Sequence, residues 1–394
     1  MGQSVSLLGT WMQNVAMGWL VYRLTNSAQM LGLVAFLTQV PSFVLGAWAG
    51  SLADRVSRRK LMFGAQALAL VQAITLAALT FSGRVEPWHL IGLALALGLS
   101  HAIEVPARHS LLADLAGADV GNATALNSTI VNGTRMIGPA IGGLLVAWVG
   151  EAWCFALNAL SFGAVLFALT RMELSERPRE AKATSMMDGV RFAWSQPMIR
   201  TLLGMLVVVS FVAFPFQSLL PLVVGEVLHG GPALLGQLGA CFGAGALISA
   251  VVLLRRTSLE GLGRRIAVGA SALAVGLVAL SVSRNPYASG LALVVVGFGF
   301  LLQGAGTLTL LQHLTPDAMR GRVIGLFSMI FIGATPFGAL LSGWIASQHG
   351  VAVTLLSAGG VVLAASAAFH VALPKAERAS ASATGVEPEI RTAA

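Results

Sequence analysis

His101, Glu104 and Arg108 fall three and four residues apart near the end of a long apolar run. That spacing puts all three on one face of a helix. An imidazole beside a carboxylate can take up and release a proton near neutral pH. Glu104 and Arg108, four apart, can also simply pair as an ion bridge at the helix end, which is the more ordinary arrangement. Glu226, at the end of another apolar run, is a second candidate proton carrier. Arg135 lies about 20 Å along a helix from Asn122, at a rise of ~1.5 Å per residue. A cation at mid-membrane costs at least about 2.5 kcal/mol. Two roles fit it: binding an anionic or polar substrate group in a central cavity, or a buried guanidinium satisfied by helix carbonyls and polar side chains. Amides recur in similar surroundings: Gln13 and Asn14, Asn127 and Asn132, Gln217, and Gln303. Each is able to touch a substrate or to hydrogen-bond a neighbouring helix.

Other chemistries are not written in the chain. There is no H-E-x-x-H pair for zinc, and no G-x-x-x-x-G-K-[ST] loop for nucleotide phosphates. The lysines are Lys60, Lys182 and Lys375, and none follows a glycine. Cys154 and Cys241 sit in apolar stretches without metal-ligand spacing and read as small buried hydrophobes. The expectation is a protein that is not an enzyme, with no cofactor and no metal.

The elements that position these groups follow from composition. The chain has 394 residues, 56% hydrophobic and 10% charged, with mean hydropathy +0.81. Soluble proteins carry roughly 25% charged residues, so the solvent for most of this chain is lipid. Stretches of about 18 to 25 apolar residues are long enough to span a bilayer. They occur near Val5–Tyr22, Leu31–Ala53, Leu61–Phe81, Trp88–Val105, Ala123–Val149 and Trp153–Leu169. Six more follow near Thr201–Val224, Ala233–Leu254, Ile266–Val282, Ala288–Leu311, Val323–Ala346 and Val351–Leu373. The fold class is therefore an all-α membrane protein with 12 transmembrane helices. With the N-terminus in the cytoplasm, twenty of the 24 basic residues fall in cytoplasmic loops or the tail. Positive charge favours the cytoplasmic side, so both termini are expected inside, at the inner membrane of the cell. The net charge of +8 is then a topological signature and calls for no nucleic-acid partner. No basic leader with a cleavage site precedes the first span.

The organisation expected is residues 1–172 as one six-helix bundle, 173–197 as a cytoplasmic linker, and 198–373 as a second bundle. A disordered cytoplasmic tail is expected over 374–394. Within the linker, Met187, Val190 and Trp194 share a face suited to lying in the membrane interface. The halves repeat weakly. Pro106-Ala107-Arg108 and Asp114 precede a span with Gly138-Pro139-Ala140-Ile141-Gly142-Gly143. Pro316 to Arg322 precedes a span with Pro336-Phe337-Gly338 and Gly343. Repeated halves enclosing a site at the bilayer midplane are a transporter design.

The run Gly50-Ser51-Leu52-Ala53-Asp54-Arg55-Val56-Ser57-Arg58-Arg59-Lys60 resembles the loop between helices 2 and 3 of the major facilitator superfamily. Together with Pro106–Asp114, Asn122–Gly143 and Thr315–Arg322, it makes nearly the whole chain similar to the enterobactin-exporter and macrolide-efflux branch. Ser57 stands where the family pattern has glycine, and a short basic leader before span 1 is missing, so span 1 is short or starts further upstream. The resemblance implies two six-helix bundles, alternating access and a coupling ion, usually the proton. It implies a cytoplasmic gate at Gly50, Asp54, Arg55 and Arg108, closing near the start of span 11. It also implies an export motif on helix 5 at Gly138, Pro139, Gly142 and Gly143. The function expected is proton-coupled export of a small organic molecule (a siderophore, drug or metabolite) by a monomer in the bilayer. Uptake on the same fold, or a non-transporting receptor, is the alternative.

Overall fold

The computed structural model describes residues 2–116, 119–171, 186–255 and 260–384, and these are helical with no strand. A bilayer core offers no water to satisfy backbone N–H and C=O groups, and a helix pairs them internally. The first six-helix bundle is α1 (Gly2–Thr25), α2 (Ala28–Arg55), α3 (Arg58–Phe81), α4 (Pro87–Ala116), α5 (Val120–Val149) and α6 (Glu151–Arg171). The short α7 (Met186–Ser195) follows. The seventh crossing is α8 (Pro197–Val208) continued by α9 (Phe216–Leu222), with π-helical turns at Val209–Ala213 and Val223–Val227. The second bundle is completed by α10 (Pro232–Leu254), α11 (Leu262–Val282), α12 (Pro286–Leu314), α13 (Asp317–His349) and α14 (Val351–Thr384).

Several expected boundaries move. The first span is not short: α1 has 24 residues, which is about 36 Å at ~1.5 Å per residue. Pro106 does not end span 4. It cannot donate to the carbonyl of Ala102, but α4 absorbs that single loss and runs on to Ala116. Arg108 therefore stands on a helix, not in a loop. The segment ahead of span 11 is likewise helical from Asp317, where Asp317 and Arg320 pair at 2.6 Å. Residues 374–384, expected to be disordered, continue α14 to Thr384; their alanine content favours helix once Pro374 has been passed. Ser57, the departure from the family pattern, accepts a hydrogen bond from the Lys60 amide and caps α3 at a negative φ of −49°. Glycine's freedom is not required there.

The two bundles repeat one another in contact pattern. α2 packs on α4 as α10 packs on α12, and α3 packs on α6 as α11 packs on α14. The turns match too. Gly150 joins α5 to α6 with φ 87°, and Gly350 joins α13 to α14 with φ 84°. Both are left-handed positions that only glycine adopts readily.

Between the bundles, α5 meets α10 and α2 meets α13. At both crossings backbones touch with no side chain between them. A Cβ on Gly236 would lie 2.7 Å from the Gly143 α-carbon, and one on Gly343 would lie 2.9 Å from that of Gly32. Small residues are the means by which membrane helices approach so closely. α7 packs against the start of α13, with Gly189 on the Arg322 side chain and Arg322 reaching Asp188 at 3.9 Å. Met187, Val190 and Trp194 are left exposed.

Within the second bundle, a Cβ at Gly297 of α12 would overlap the Phe242 carbonyl of α10, whereas Gly304 on the same helix has open space. Gly297→Ala is expected to lower the melting temperature in detergent, at an overpacking cost of about 1–3 kcal/mol. Gly304→Ala is expected to be neutral or to raise it, through helix propensity. Equal shifts in the two variants would contradict the packing described.

Candidate functional site

A cavity of about 440 Å³ lies between the two bundles, within the usual range for small-molecule sites. One wall comes from α1, α2 and α4, which supply Asn14, Thr38, Gln39 and His101. The other comes from the seventh crossing and α13, with Gln217, Ser218 and Thr335 among its polar groups. A second chamber of about 500 Å³ adjoins it and shares Asn14, Gln39 and His101. That chamber extends through Ser6, Gly46, Glu104 and Arg108 toward the face on which α1 begins. On the opposite face the glycine crossings bring the bundles together.

The seventh crossing owes its shape to two prolines. Pro215 and Pro221 have no N–H, so the carbonyls of Phe211 and Gln217 lose their usual partners four residues on. The backbone shifts to five-residue spacing: the Phe214 amide donates to Val209 at 2.9 Å and the Leu228 amide to Val223 at 3.0 Å. Such π turns inside α-helices are frequent at functional sites. Here the stretch between them, from Phe214 to Pro221, faces the cavity. The Phe211 carbonyl packs directly on Gly338 of α13.

The sequence-derived candidates separate into groups. Asn14, Gln217 and His101 line the cavity. Glu104 and Arg108 line the second chamber, paired at 3.3 Å with side chains only 12% and 14% exposed. The ion bridge and a position beside His101 thus coexist. Gln13 does not line the cavity. It is fully buried among α1, α3 and α6, donating to Gln72 at 3.0 Å and accepting from Asn158 at 2.8 Å. Gln303 is also buried, bonded to Thr307 within α12 at 3.4 Å. Asn127 is half-buried on α5 and is not among the described lining residues. Glu226 is exposed on a π turn at the far face. The side chains of Asp54, Arg55, Asn132 and Arg135, and the surroundings of Gly50, lie outside the described residues, although their helices are described.

The helix-5 motif has two faces. Gly138 packs on Trp11 and Gly142 on Met12, both of α1, while Gly143 packs on Gly236 of α10. Pro139 lines the cavity and a Cβ at Gly239 would lie 2.7 Å from its own. One short run thus touches the neighbouring helix, the other bundle and the cavity. Arg59 has a part beyond topology: it donates to the Thr170 carbonyl at 3.0 Å and so caps the end of α6. Among the described residues no cluster of His, Cys, Asp or Glu is suited to a metal ion.

Sequence reasoning missed Trp11, Thr38, Gln39, Thr335 and the phenylalanines of the cavity. The adjacent Thr38-Gln39 pair in an apolar span and the Pro215, Pro221 spacing were the available signals. Nothing in sequence marks which phenylalanines turn inward.

The family model described as transmembrane secretion effector matches residues 1–393. The multidrug efflux pump Tap of Mycobacterium tuberculosis is 26% identical over 366 residues, covering 87% of this chain and 85% of that one. The staphyloferrin A transporter of Staphylococcus aureus is 24% identical over 357 residues, covering 88% of each chain. Among solved structures, a bacterial homologue of the iron transporter ferroportin superposes with TM-score 0.70 at 18% identity, covering 95% of this chain and 96% of that one. At that identity the last match speaks for the fold alone.

In a variant with Cys154 and Cys241 replaced by alanine, Asn14→Cys and Gln39→Cys are expected to react with a small maleimide, and Gln13→Cys to stay unreactive. Mass spectrometry of the labelled protein checks this. Labelling of Gln13→Cys at the rate of its neighbour would place α1 in a different rotation.

Proposed function

Because the chain belongs to the transmembrane secretion effector family, within the major facilitators, we propose that it exports a small organic molecule by alternating access, exchanging it for protons. The protein is a multi-pass membrane transporter. The observation that carries the proposal is the cavity between the bundles, packed shut by glycine crossings at one face and continued by a second chamber toward the other. With the termini in the cytoplasm, as the distribution of basic residues favours, this is an inward-open arrangement ready to accept cargo from inside. The relative named for multidrug efflux supports outward transport, and the one named for staphyloferrin A widens the range of cargo to be tested.

Switching requires a contact that forms in only one state. The end of α2, with Gly50, Asp54 and Arg55, approaches the start of α13 and Arg108 in the closed-inside state of this proposal. α7, already fastened to α13 through Asp188 and Arg322, ties the linker to the same motion. The coupling centre is His101 with Glu104. Cargo and proton compete here: cargo entering at His101 favours release of the proton. Arg135, on the helix that bears the Gly138-Pro139 motif, is assigned to an anionic or polar group of the cargo, together with Asn132.

Everted vesicles energised so that their interior is acid are expected to accumulate cargo from a panel of labelled antibiotics and siderophores, and to lose it when an uncoupler collapses the gradient. Accumulation that ignores the uncoupler would overturn antiport. Asp54→Asn is expected to reach the membrane in normal amount and to slow transport about fivefold, the factor for a gate contact of about 1 kcal/mol. Wild-type transport by that variant would remove Asp54 from the gate.

A further inference from the structure

The two walls of the cavity differ in chemistry. The wall from the second bundle is built on phenylalanines packed against each other. Phe214 stacks on Phe300 with centroids 4.8 Å apart and planes at 17°, and meets Phe331 at 5.8 Å. Phe331 is parallel to Phe327 within 4° at 6.1 Å. Phe214 and Phe331 line the cavity, and the rings behind them hold them in place. Rings fixed by mutual packing give a rigid apolar surface that favours another ring, offset or edge-on.

The hydroxyls in the lining carry a second message. Thr38 donates to the Val34 carbonyl at 2.8 Å, Ser218 to Pro215 at 2.7 Å, and Thr335 to Phe331 at 2.8 Å. A hydroxyl has one hydrogen and two lone pairs. With each hydrogen committed to its own helix, these oxygens can only accept from a ligand. The group that matches them is an N–H or O–H donor. Charge adds a third constraint. Among the described lining residues of both chambers the one carboxylate is Glu104, and it is bonded to Arg108. A permanent cation entering here would shed water without gaining a counter-charge, whereas a neutral molecule avoids that cost.

We propose that this cavity selects neutral, planar aromatic compounds bearing hydroxyl or amine donors, and disfavours permanent cations. The assignment rests on the transport reading for its physiological meaning, but binding tests it separately. Calorimetry on the purified wild-type protein in nanodiscs, with resveratrol as probe, is expected to show saturable binding. The trimethyl ether of resveratrol keeps the rings and loses the donors, and is expected to bind about tenfold more weakly. Ethidium, a planar cation, is expected to bind more weakly than resveratrol. Phe331→Leu keeps most of the bulk and loses the ring; about fivefold weaker resveratrol binding is expected. Thr335→Val is expected to narrow the gap between resveratrol and its ether. No resveratrol binding, equal affinity for the ether, tighter binding of ethidium, or an unchanged Phe331→Leu would each overturn the proposal. Binding in the expected order without movement of any compound in vesicles would instead count against export and leave this assignment standing.

Discussion

Every backbone hydrogen bond in the bilayer must be made inside the protein. That requirement turns each described crossing into helix and leaves one variable, how closely the helices approach. Where α5 meets α10 and α2 meets α13, glycines remove the side chains and the backbones touch. Where glycine gives way to Asn14, Thr38, Gln217 and the phenylalanines, the bundles stand apart and a cavity opens. The sealed end and the open chamber are thus two outcomes of the same helix pairs. A two-state carrier needs this kind of interface, held by packing that is close but carries few directional bonds.

The halves share a contact pattern and diverge in what they bring to the cavity. The first bundle is stiffened by buried amides linking α1, α3 and α6. Gln13 is at the centre of that network, and the residue after it, Asn14, points into the cavity. A single helix step thus separates a structural amide from one that lines the cavity. The second bundle relies on aromatic packing and on a crossing broken by Pro215 and Pro221. Its π turns set the cavity-facing segment apart from a regular helix, and the Phe211 carbonyl, just before that segment, packs closely on Gly338 of α13.

Much of the fold was legible because hydrophobic length reports directly on lipid. The long apolar helices were readable for that reason; α7 was readable from the spacing of Met187, Val190 and Trp194, and the glycine motif of α5 through the family resemblance. The site was legible only in part. Gln13 and Asn14 are both amides in an apolar helix, and which one faces the cavity depends on the rotation of α1 against neighbours that sequence alone does not align. Gln303 misled for the same reason, being buried against Thr307. Helix ends were misjudged where charge was equated with loop. Arg108 and Arg320 stand on helices, because a helix can project beyond the hydrocarbon and carry its cations into water.

The turns at Gly150 and Gly350 have a counterpart at the other connections of the same face. These joints, from that between α1 and α2 to that between α13 and α14, are one to five residues long. A surface so sparing of loops gives a protease almost no extended strand to cut and an antibody almost no peptide to grip. Seen from outside the cell, in the orientation proposed, the molecule is nearly featureless except at the ends of its helices. Any inhibitor meant to act from that side has to recognise the joint lines between helices, where the glycine crossings bring the bundles together.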